Sequence, residues 1–202
     1  MADTLDRSGP QPTADVETLT DAPPTGEIAV LTTVQEALAT DATVRAARRM
    51  SLFGEHAGGW LAIGLAGAVL DRSRRREWLG SAAAVAVAHG ASIGVKRVVR
   101  RRRPEHPSIR VLVGTPSRLS FPSSHATSTT AAAVLYGGLL GRRGWAGTTA
   151  ASAVVGLMAM SRLVLGVHYP TDVATGAALG AAVACGTRRV IRRTPITRRV
   201  SA

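Results

Sequence analysis

The sequence predicts an all-α, integral-membrane helical bundle with about five spanning helices. Five apolar segments, at 57–71, 78–95, 125–141, 144–161 and 170–187, each contain 15 to 18 residues, which is near the lower limit for crossing a bilayer. They are rich in Gly, Ala, Ser and Thr, which allow helices to pack closely inside a membrane. Strand signals are sparse, and clusters of arginine separate the apolar segments. A soluble bundle of buried helices is the weaker alternative.

The N-terminal region differs in composition from these segments. Residues 1–26 are rich in Pro, Thr, Asp and Gly without an apolar period, which predicts a disordered tail and not a cleaved signal peptide. Segment 28–53 mixes apolar and charged positions, which is typical of an amphipathic helix lying at the membrane interface. The predicted organisation is therefore a tail over 1–26, a membrane-embedded domain over 27–190 and a basic C-terminal tail over 191–202.

The charge of the chain restricts its partners. The 202 residues fit one domain and carry a net charge of +12, from 24 Arg and one Lys against 13 acidic residues. Because the arginines lie between apolar segments, they suit anionic lipid head groups. The aromatic content of 3% and the absence of a nucleic-acid motif argue against nucleic acid as a partner. Cys185 has no cysteine to pair with and is interpreted as a small buried apolar residue.

Five alternating crossings determine which links share a membrane side. The links at 96–121 and 162–169 fall on one side, whereas those at 72–77 and 142–143 and the tail from 188 fall on the other. The second side carries twelve basic residues against nine, which favours it as cytoplasmic. We therefore expect a multi-pass protein of the plasma membrane whose 96–121 and 162–169 links face outward.

A histidine and a carboxylate mark the start of the last apolar segment. His168 and Asp172 are four residues apart, and Pro170 between them suits the first turn of a helix. Asp172 could then hold one ring nitrogen and leave the other free to attack. An isolated histidine and aspartate with this spacing more often form a pair on the protein surface. Arg162, however, lies only six residues before His168 and favours a phosphate site.

A second histidine opens another apolar segment. His125 follows Pro122, Ser123 and Ser124, at a predicted helix N-terminus, where free N–H groups favour phosphate. His125 could act first as general acid and then as base. Ser123 could equally be a simple helix cap, and the two roles are compatible.

Cations that could hold phosphate precede both histidines. Lys96 and Arg103 are seven residues apart, about two helical turns, so they are predicted to share a helix face. Phosphoryl transfer needs such clamps, although a basic stripe alone usually marks a lipid head-group contact. Between 96 and 172 the only carboxylates are Glu105 and Asp172, so no metal site or cofactor is expected.

Together these three blocks resemble the type 2 phosphatidic acid phosphatase superfamily. The family pattern is Lys-x6-Arg-Pro, Pro-Ser-Gly-His and Ser-Arg-x5-His-x3-Asp. The chain has it at Lys96–Pro104, Pro122–His125 and Ser161–Asp172, with Ser124 in place of the family glycine. The motifs span 96–172, and the helical plan extends the likeness to about 51–190.

The resemblance implies a metal-independent phosphatase with a covalent phosphohistidine intermediate. By analogy His168 is the nucleophile, Asp172 orients it, and His125 protonates the leaving group and then activates water. The phosphoryl oxygens would be held by Lys96, Arg103, Ser123, Ser124 and Arg162.

The implied substrate is a lipid phosphate. The short, arginine-rich form is most similar to actinobacterial members that act on polyprenyl phosphates in cell-wall synthesis. Undecaprenyl diphosphate and phosphatidic acid are the alternatives. A vanadate-using haloperoxidase would share the pocket but is a large soluble protein. A non-enzymatic protein that binds anionic lipid would need the cations but not both histidines. The sequence leaves the head group and the oligomeric state open.

Overall fold

The computed structural model describes residues 24–141 and 145–193 of the chain. Within these ranges it contains seven α-helices and two short 3-10 helices, Glu55–Ala57 and Arg72–Arg74, and no strand. The α-helices are α1 (Gly26–Leu38), α2 (Asp41–Gly54), α3 (Gly58–Leu70), α4 (Arg75–Val99), α5 (Ser124–Leu139), α6 (Trp145–Val164) and α7 (Pro170–Arg193).

The predicted all-α membrane bundle is confirmed, since α3 to α7 correspond to the five apolar segments. Two stretches, Arg72–Val99 and Ala146–Val164, are long and apolar enough to cross a membrane by length and composition. Most of the predicted N-terminal tail and of the C-terminal tail lies outside the described residues.

The segment predicted as one amphipathic helix is divided into α1 and α2. The division falls at Ala39 and Thr40. The Ala39 N–H donates to the Gln35 carbonyl at 2.9 Å, which is the last hydrogen bond of α1. Thr40 then caps α2, because its hydroxyl accepts a hydrogen bond from the Thr43 N–H at 3.3 Å. A threonine followed by an aspartate is a strong helix-start signal within the segment.

Helix α5 lies at the centre of the bundle and packs against α4, α6 and α7. Its contact with α7 is made between backbones, because a Cβ atom placed on Gly176 would lie 2.5 Å from the Ser123 carbonyl oxygen. On the side of α3, the Tyr136 hydroxyl donates to the Trp60 carbonyl at 3.0 Å and the Trp60 indole donates to Thr129 at 3.0 Å. The contact at Gly176 places the start of α7 beside the start of α5, and the Tyr136 and Trp60 hydrogen bonds join α3 to α5.

The N-terminal helices cover the end of the bundle that is formed by the 100–123 link between α4 and α5. Gln35 of α1 is buried, and its amide donates to the carbonyls of Arg110 at 2.7 Å and Val164 at 3.0 Å. Its oxygen accepts from the Arg110 N–H at 3.0 Å. Arg48 of α2 donates to the Leu112 carbonyl at 2.8 Å. Both helices are thereby joined to the link and to α6.

The other end of the bundle holds a larger cavity, of about 1000 Å³, that contains none of the motif residues. Arg74 and Arg188 line it, and they donate to the carbonyls of Leu139 and Val134 on α5. Cys185 also lines this cavity and is exposed, so its interpretation as a buried residue was wrong. The reason is the helical rotation, since the neighbouring Ala184 occupies the face of α7 that is fully buried in the core.

Candidate active site

A cavity of about 400 Å³ lies where α4 and α6 end and α5 and α7 begin. It is lined by six of the eight residues predicted for the site, Lys96, Arg103, Ser124, His125, Arg162 and His168. The other two, Ser123 and Asp172, are fully buried and do not line it. The fold thus brings three sequence blocks, far apart in the chain, to one place.

His168 is 3% exposed, and Asp172 lies directly behind it. The distance from His168 Nδ1 to Asp172 Oδ2 is 3.5 Å, which is longer than an ordinary hydrogen bond. The same carboxylate oxygen accepts from the Tyr169 N–H at 2.9 Å. Pro170 begins α7, and the first turn of that helix therefore carries Asp172 back towards the imidazole. The opposite ring nitrogen, Nε2, lies 3.4 Å from Arg103.

The surroundings of His168 keep its ring neutral. Burial, together with the charges of Arg103 and Lys96, lowers the pKa of this imidazole to about 3, although Asp172 opposes the shift. At neutral pH the ring therefore retains a lone pair. With Asp172 on the Nδ1 side, that lone pair belongs to Nε2, which faces the cations. This is the protonation state that a nucleophilic histidine needs.

Three cations surround the cavity without carboxylate partners. Lys96 Nζ donates to the Ser120 carbonyl at 2.8 Å, and Arg103 donates to the Val167 carbonyl at 2.6 Å. Arg162 is 2% exposed. In the part of the chain that the structure describes, no carboxylate oxygen lies within 4.0 Å of these three side chains. Burial lowers the pKa of Arg103 to about 10, so it remains charged at neutral pH.

Lys96 and Arg103 reach the cavity by a route that differs from the prediction. They do not share a helix face, because α4 ends at Val99. Arg100 adopts a left-handed conformation with φ of 55°, and its N–H donates a hydrogen bond to the Lys96 carbonyl at 3.0 Å. The chain then turns back in an extended form, so Arg103 approaches the cavity from the link. A run of four arginines gives no signal for this turn.

The start of α5 supplies a histidine and two serines. Ser123 is the N-cap residue of this helix, and its hydroxyl accepts from the Ala126 N–H at 3.4 Å. The Ser124 hydroxyl lies 2.7 Å from the hydroxyl of Ser92 on α4. The serine that replaces the family glycine therefore has a hydrogen-bond partner in the neighbouring helix.

Sequence reasoning missed Ser51 on α2. Its carbonyl oxygen lies 3.0 Å from His125 Nε2, and its hydroxyl accepts from Arg162 at 2.9 Å. Gly54 allows this approach, because a Cβ atom there would lie 2.7 Å from the His125 ring. Ser51 lies within the amphipathic segment, and nothing in the local pattern distinguishes it from its neighbours.

Arg101 was also missed. It donates to Asp172 Oδ1 at 3.0 Å, and its guanidinium carbon lies 3.9 Å from the centre of the Tyr169 ring, a cation–π distance. Asp172 is therefore held on one oxygen by Arg101 and on the other by the Tyr169 N–H beside His168. In the sequence Arg101 is one of four consecutive arginines, so its position alone could not single it out.

Comparison with known proteins identifies related sequences. The model of the PAP2 superfamily matches residues 77–195. A decaprenylphosphoryl-5-phosphoribose phosphatase of Mycolicibacterium smegmatis is 56% identical over 154 residues, which cover 76% of this chain and 82% of that protein. A protein with the same name from Mycobacterium tuberculosis H37Rv is 53% identical over 161 residues, covering 79% of this chain and 88% of that protein.

Solved structures share the fold. A transmembrane PAP2-type phosphatidylglycerolphosphate phosphatase from Bacillus subtilis superposes with a TM-score of 0.67 at 21% identity, covering 84% of this chain and 88% of that one. LpxE of Aquifex aeolicus superposes with a TM-score of 0.65 at 19% identity, covering 79% and 93%. The helical arrangement is therefore that of these proteins.

Proposed function

The chain belongs to the PAP2 superfamily and is a phosphatase, and on that premise we propose that it cleaves a lipid phosphate through a phosphohistidine intermediate. The observation that supports this most is the set of three cations without carboxylate partners around a neutral histidine, of which Lys96 and Arg162 are buried and Arg103 is half-buried. Buried charges without partners are costly, so such a site favours an anion that several cations can hold together. A phosphoryl group has the charge and the oxygens that this arrangement requires.

The substrate that we propose is decaprenylphosphoryl-5-phosphoribose, from which the 5-phosphate is removed during cell-wall synthesis. The support is the identity of 53–56% with the mycobacterial proteins of that name over about three quarters of this chain. The exposed Arg48 and Arg97 also line the cavity, outside the three cations that hold the transferred group. They would suit a substrate that keeps a second phosphate. Undecaprenyl diphosphate and phosphatidic acid are the competing substrates.

In the first step His168 Nε2 attacks the phosphorus atom. A P–N bond forms as the ester P–O bond breaks, and the leaving oxygen takes a proton from His125. Lys96, Arg103 and Arg162 hold the phosphoryl oxygens as charge develops on them. Ser124, at the N-terminus of α5, would add a backbone N–H donor. Asp172 stabilises the positive charge that His168 acquires.

In the second step water attacks the phosphohistidine. His125, now neutral, accepts a proton from that water, and the P–N bond breaks to release inorganic phosphate. His168 returns to its neutral form and His125 is again protonated. All proton transfers are carried by residues of this chain. We therefore propose that the reaction needs no metal ion, since three cations beside the histidines would repel one.

We further propose that the enzyme is a multi-pass protein of the plasma membrane, with residues 27–190 as its membrane-embedded phosphatase domain. The excess of basic residues at 72–77, 142–143 and beyond 188 supports a cytoplasmic location for that end of the bundle. The active site then faces the extracytoplasmic side. The remaining exposed arginines would contact anionic lipid head groups.

The test is phosphate release by the purified, detergent-solubilised protein in EDTA. The substrates would be polyprenyl-phosphoribose phosphate, polyprenyl monophosphate, polyprenyl diphosphate and phosphatidic acid. We expect release from the first, and a loss of at least about 10³-fold in His168→Ala. His106→Ala is the matched control, because His106 lies in the 100–123 link but does not line the cavity.

Three outcomes would contradict the proposal in different ways. Turnover that survives in His168→Ala would exclude the phosphohistidine. Loss of activity in EDTA that is restored by a divalent cation would exclude the metal-independent mechanism. Binding of all four lipids without release of phosphate would leave the cavity as an anionic-lipid binding site.

A further inference from the structure

We propose that Glu27 of α1 is a positioning residue, which holds Arg101 and through it the orientation of Asp172 behind His168. This inference rests on the proposed function, because it concerns the histidine that we assign as nucleophile. Glu27 lies fifty residues before the range matched by the family model, which begins at 77. It belongs to a part of the chain to which the three sequence motifs give no role.

Both carboxylate oxygens of Glu27 accept hydrogen bonds. Oε1 accepts from the Thr171 N–H at 2.9 Å and from the Thr171 hydroxyl at 2.7 Å. Oε2 accepts from Arg101 at 2.5 Å. Thr171 is in the first turn of α7, where backbone N–H groups lack partners within the helix. Glu27 therefore caps α7 from another helix and holds Arg101 at the same time.

Arg101 is fixed between two carboxylates. One of its terminal nitrogens binds Glu27, and the other donates to Asp172 Oδ1 at 3.0 Å and to the Thr171 hydroxyl at 2.7 Å. Its planar face lies over Tyr169. A guanidinium group that is held at both ends and on one face has little freedom to rotate. The carboxylate that it contacts is consequently held in one orientation.

The network runs from the surface to the centre of the site. The side chains of Glu27 and Arg101 are each 30% exposed, whereas that of Asp172 is fully buried. Without Glu27, Asp172 would be the remaining carboxylate bound to Arg101. The guanidinium group would then compete with His168 for the Asp172 carboxylate. The separation of 3.5 Å between His168 and Asp172 leaves little tolerance for such a change. Glu27 thus supports the chemical step and not the binding of phosphate.

The experiment compares Glu27→Gln with Glu36→Gln in the full-length, detergent-solubilised protein. Glutamine keeps an oxygen for Thr171 but presents an NH₂ group to Arg101. Glu36 is exposed on the same helix, so its variant makes the same change of charge away from the site. We expect kcat of Glu27→Gln to fall about tenfold, with KM within about twofold of wild type. Glu36→Gln should match wild type in both constants.

A double-variant cycle tests the route through Arg101. Arg101→Gln should lower kcat at least as much as Glu27→Gln, and the double variant should be no slower than Arg101→Gln alone. Independent effects that multiply would overturn the proposal. So would a Glu27→Gln enzyme with unchanged kcat, or one whose KM rises while kcat stays constant.

A second readout needs no turnover. In ¹⁵N-histidine NMR, with His168→Ala to assign the resonance, the wild-type ring should carry its proton on Nδ1. Glu27→Gln should give a mixture of tautomers, while Glu36→Gln should not. An unchanged tautomer in Glu27→Gln would contradict the positioning role. If the wild-type protein released no phosphate, the proposed function would fail, and the tautomer would still decide whether Glu27 positions Asp172.

Discussion

The two ends of the helical bundle are both rich in arginine, but they use it differently. At the end away from the motifs, Arg74 forms an ion pair with Asp71 at 2.6 Å and donates to the Leu139 carbonyl at the C-terminus of α5. At the motif end, Arg162 is buried and Arg103 half-buried, and neither has a carboxylate within 4.0 Å among the described residues. What distinguishes the arginines of the site is therefore the combination of low exposure and the lack of a carboxylate partner.

At the first end, Asp71 neutralises the arginine that lies beside it. Hydrogen bonds from Ser73 and Arg74 lower the pKa of this half-buried carboxyl to about 2. The ion pair is local, since both partners belong to the short turn before α4. At the motif end the positive N-termini of α5 and α7 add to the cations instead of neutralising them. The number of arginines was greater on the non-motif side, so counting them would select the wrong end.

The sharpest test of this contrast is the pair Arg103→Ala and Arg74→Ala. We expect the first to lower kcat/KM by about 10²- to 10³-fold, because it removes a charge that, on the proposed mechanism, holds the phosphoryl group in the transition state. The second should leave kcat/KM within about twofold of wild type, because its contacts are with Asp71 and a helix C-terminus. Equal losses in the two variants would show that net charge, and not the local partner, determines activity.

A smaller effect is expected when the packing that joins α5 to α7 is disturbed. In Gly176→Ala the new methyl group would meet the Ser123 carbonyl oxygen, which is backbone and cannot move aside. Overpacking of this kind costs about 1–3 kcal/mol. Here it would also disturb the hydrogen bond of 2.9 Å from the Ser123 N–H to the Asp172 carbonyl. We expect a lower melting temperature in detergent together with lower kcat.

Gly90→Ala is the control for that variant. Gly90 lies on α4, and a Cβ atom there would have no neighbour within 4 Å, so alanine should be neutral or slightly stabilising. A Gly176→Ala protein as stable as Gly90→Ala would show that α5 and α7 can separate without cost.

The smallest change should follow mild acidification. Burial holds the pKa of His168 below the 6.5 of a free imidazole, so the unfolded chain binds this proton first as the pH falls. The stability contributed by the neutral ring is therefore fully present above about pH 6.5 and is lost only as the pH falls from there towards 3. In ¹⁵N NMR the chemical shifts of the His168 ring nitrogens should remain those of a neutral imidazole from about pH 7.5 to about pH 5. A midpoint at or above 6.5 would contradict the burial argument.

Local sequence patterns were sufficient to predict most of the helices and part of the candidate site. Apolar length predicted α3 to α7, and the alternation of crossings placed the links at 96–121 and 162–169 at one end, as the structure has them. The spacing from His168 to Asp172 and the proline between them predicted the turn that brings these residues together. Each of these inferences needed only neighbours within a few helical turns.

The remainder depended on contacts between distant segments. Ser51 and Glu27 touch residues 74 to 144 positions away, and no local period records such a contact. The end of α4 was misjudged for another reason: Arg100 takes a left-handed conformation that arginine rarely adopts. Cys185 was misplaced because an apolar segment does not show which of its faces is covered.

The hydrogen bonds between Glu27 and Thr171 also have a consequence for biosynthesis. Its two ends are separated by 144 residues, so the ribosome makes α1 long before α7 exists. Until α7 is inserted, Glu27 and Arg101 have no Asp172 to hold, and His168 is not yet followed by the helix that aligns it. On the proposed mechanism, a nascent chain is therefore inactive towards lipid phosphate, and activity arises only once the last helix is in place.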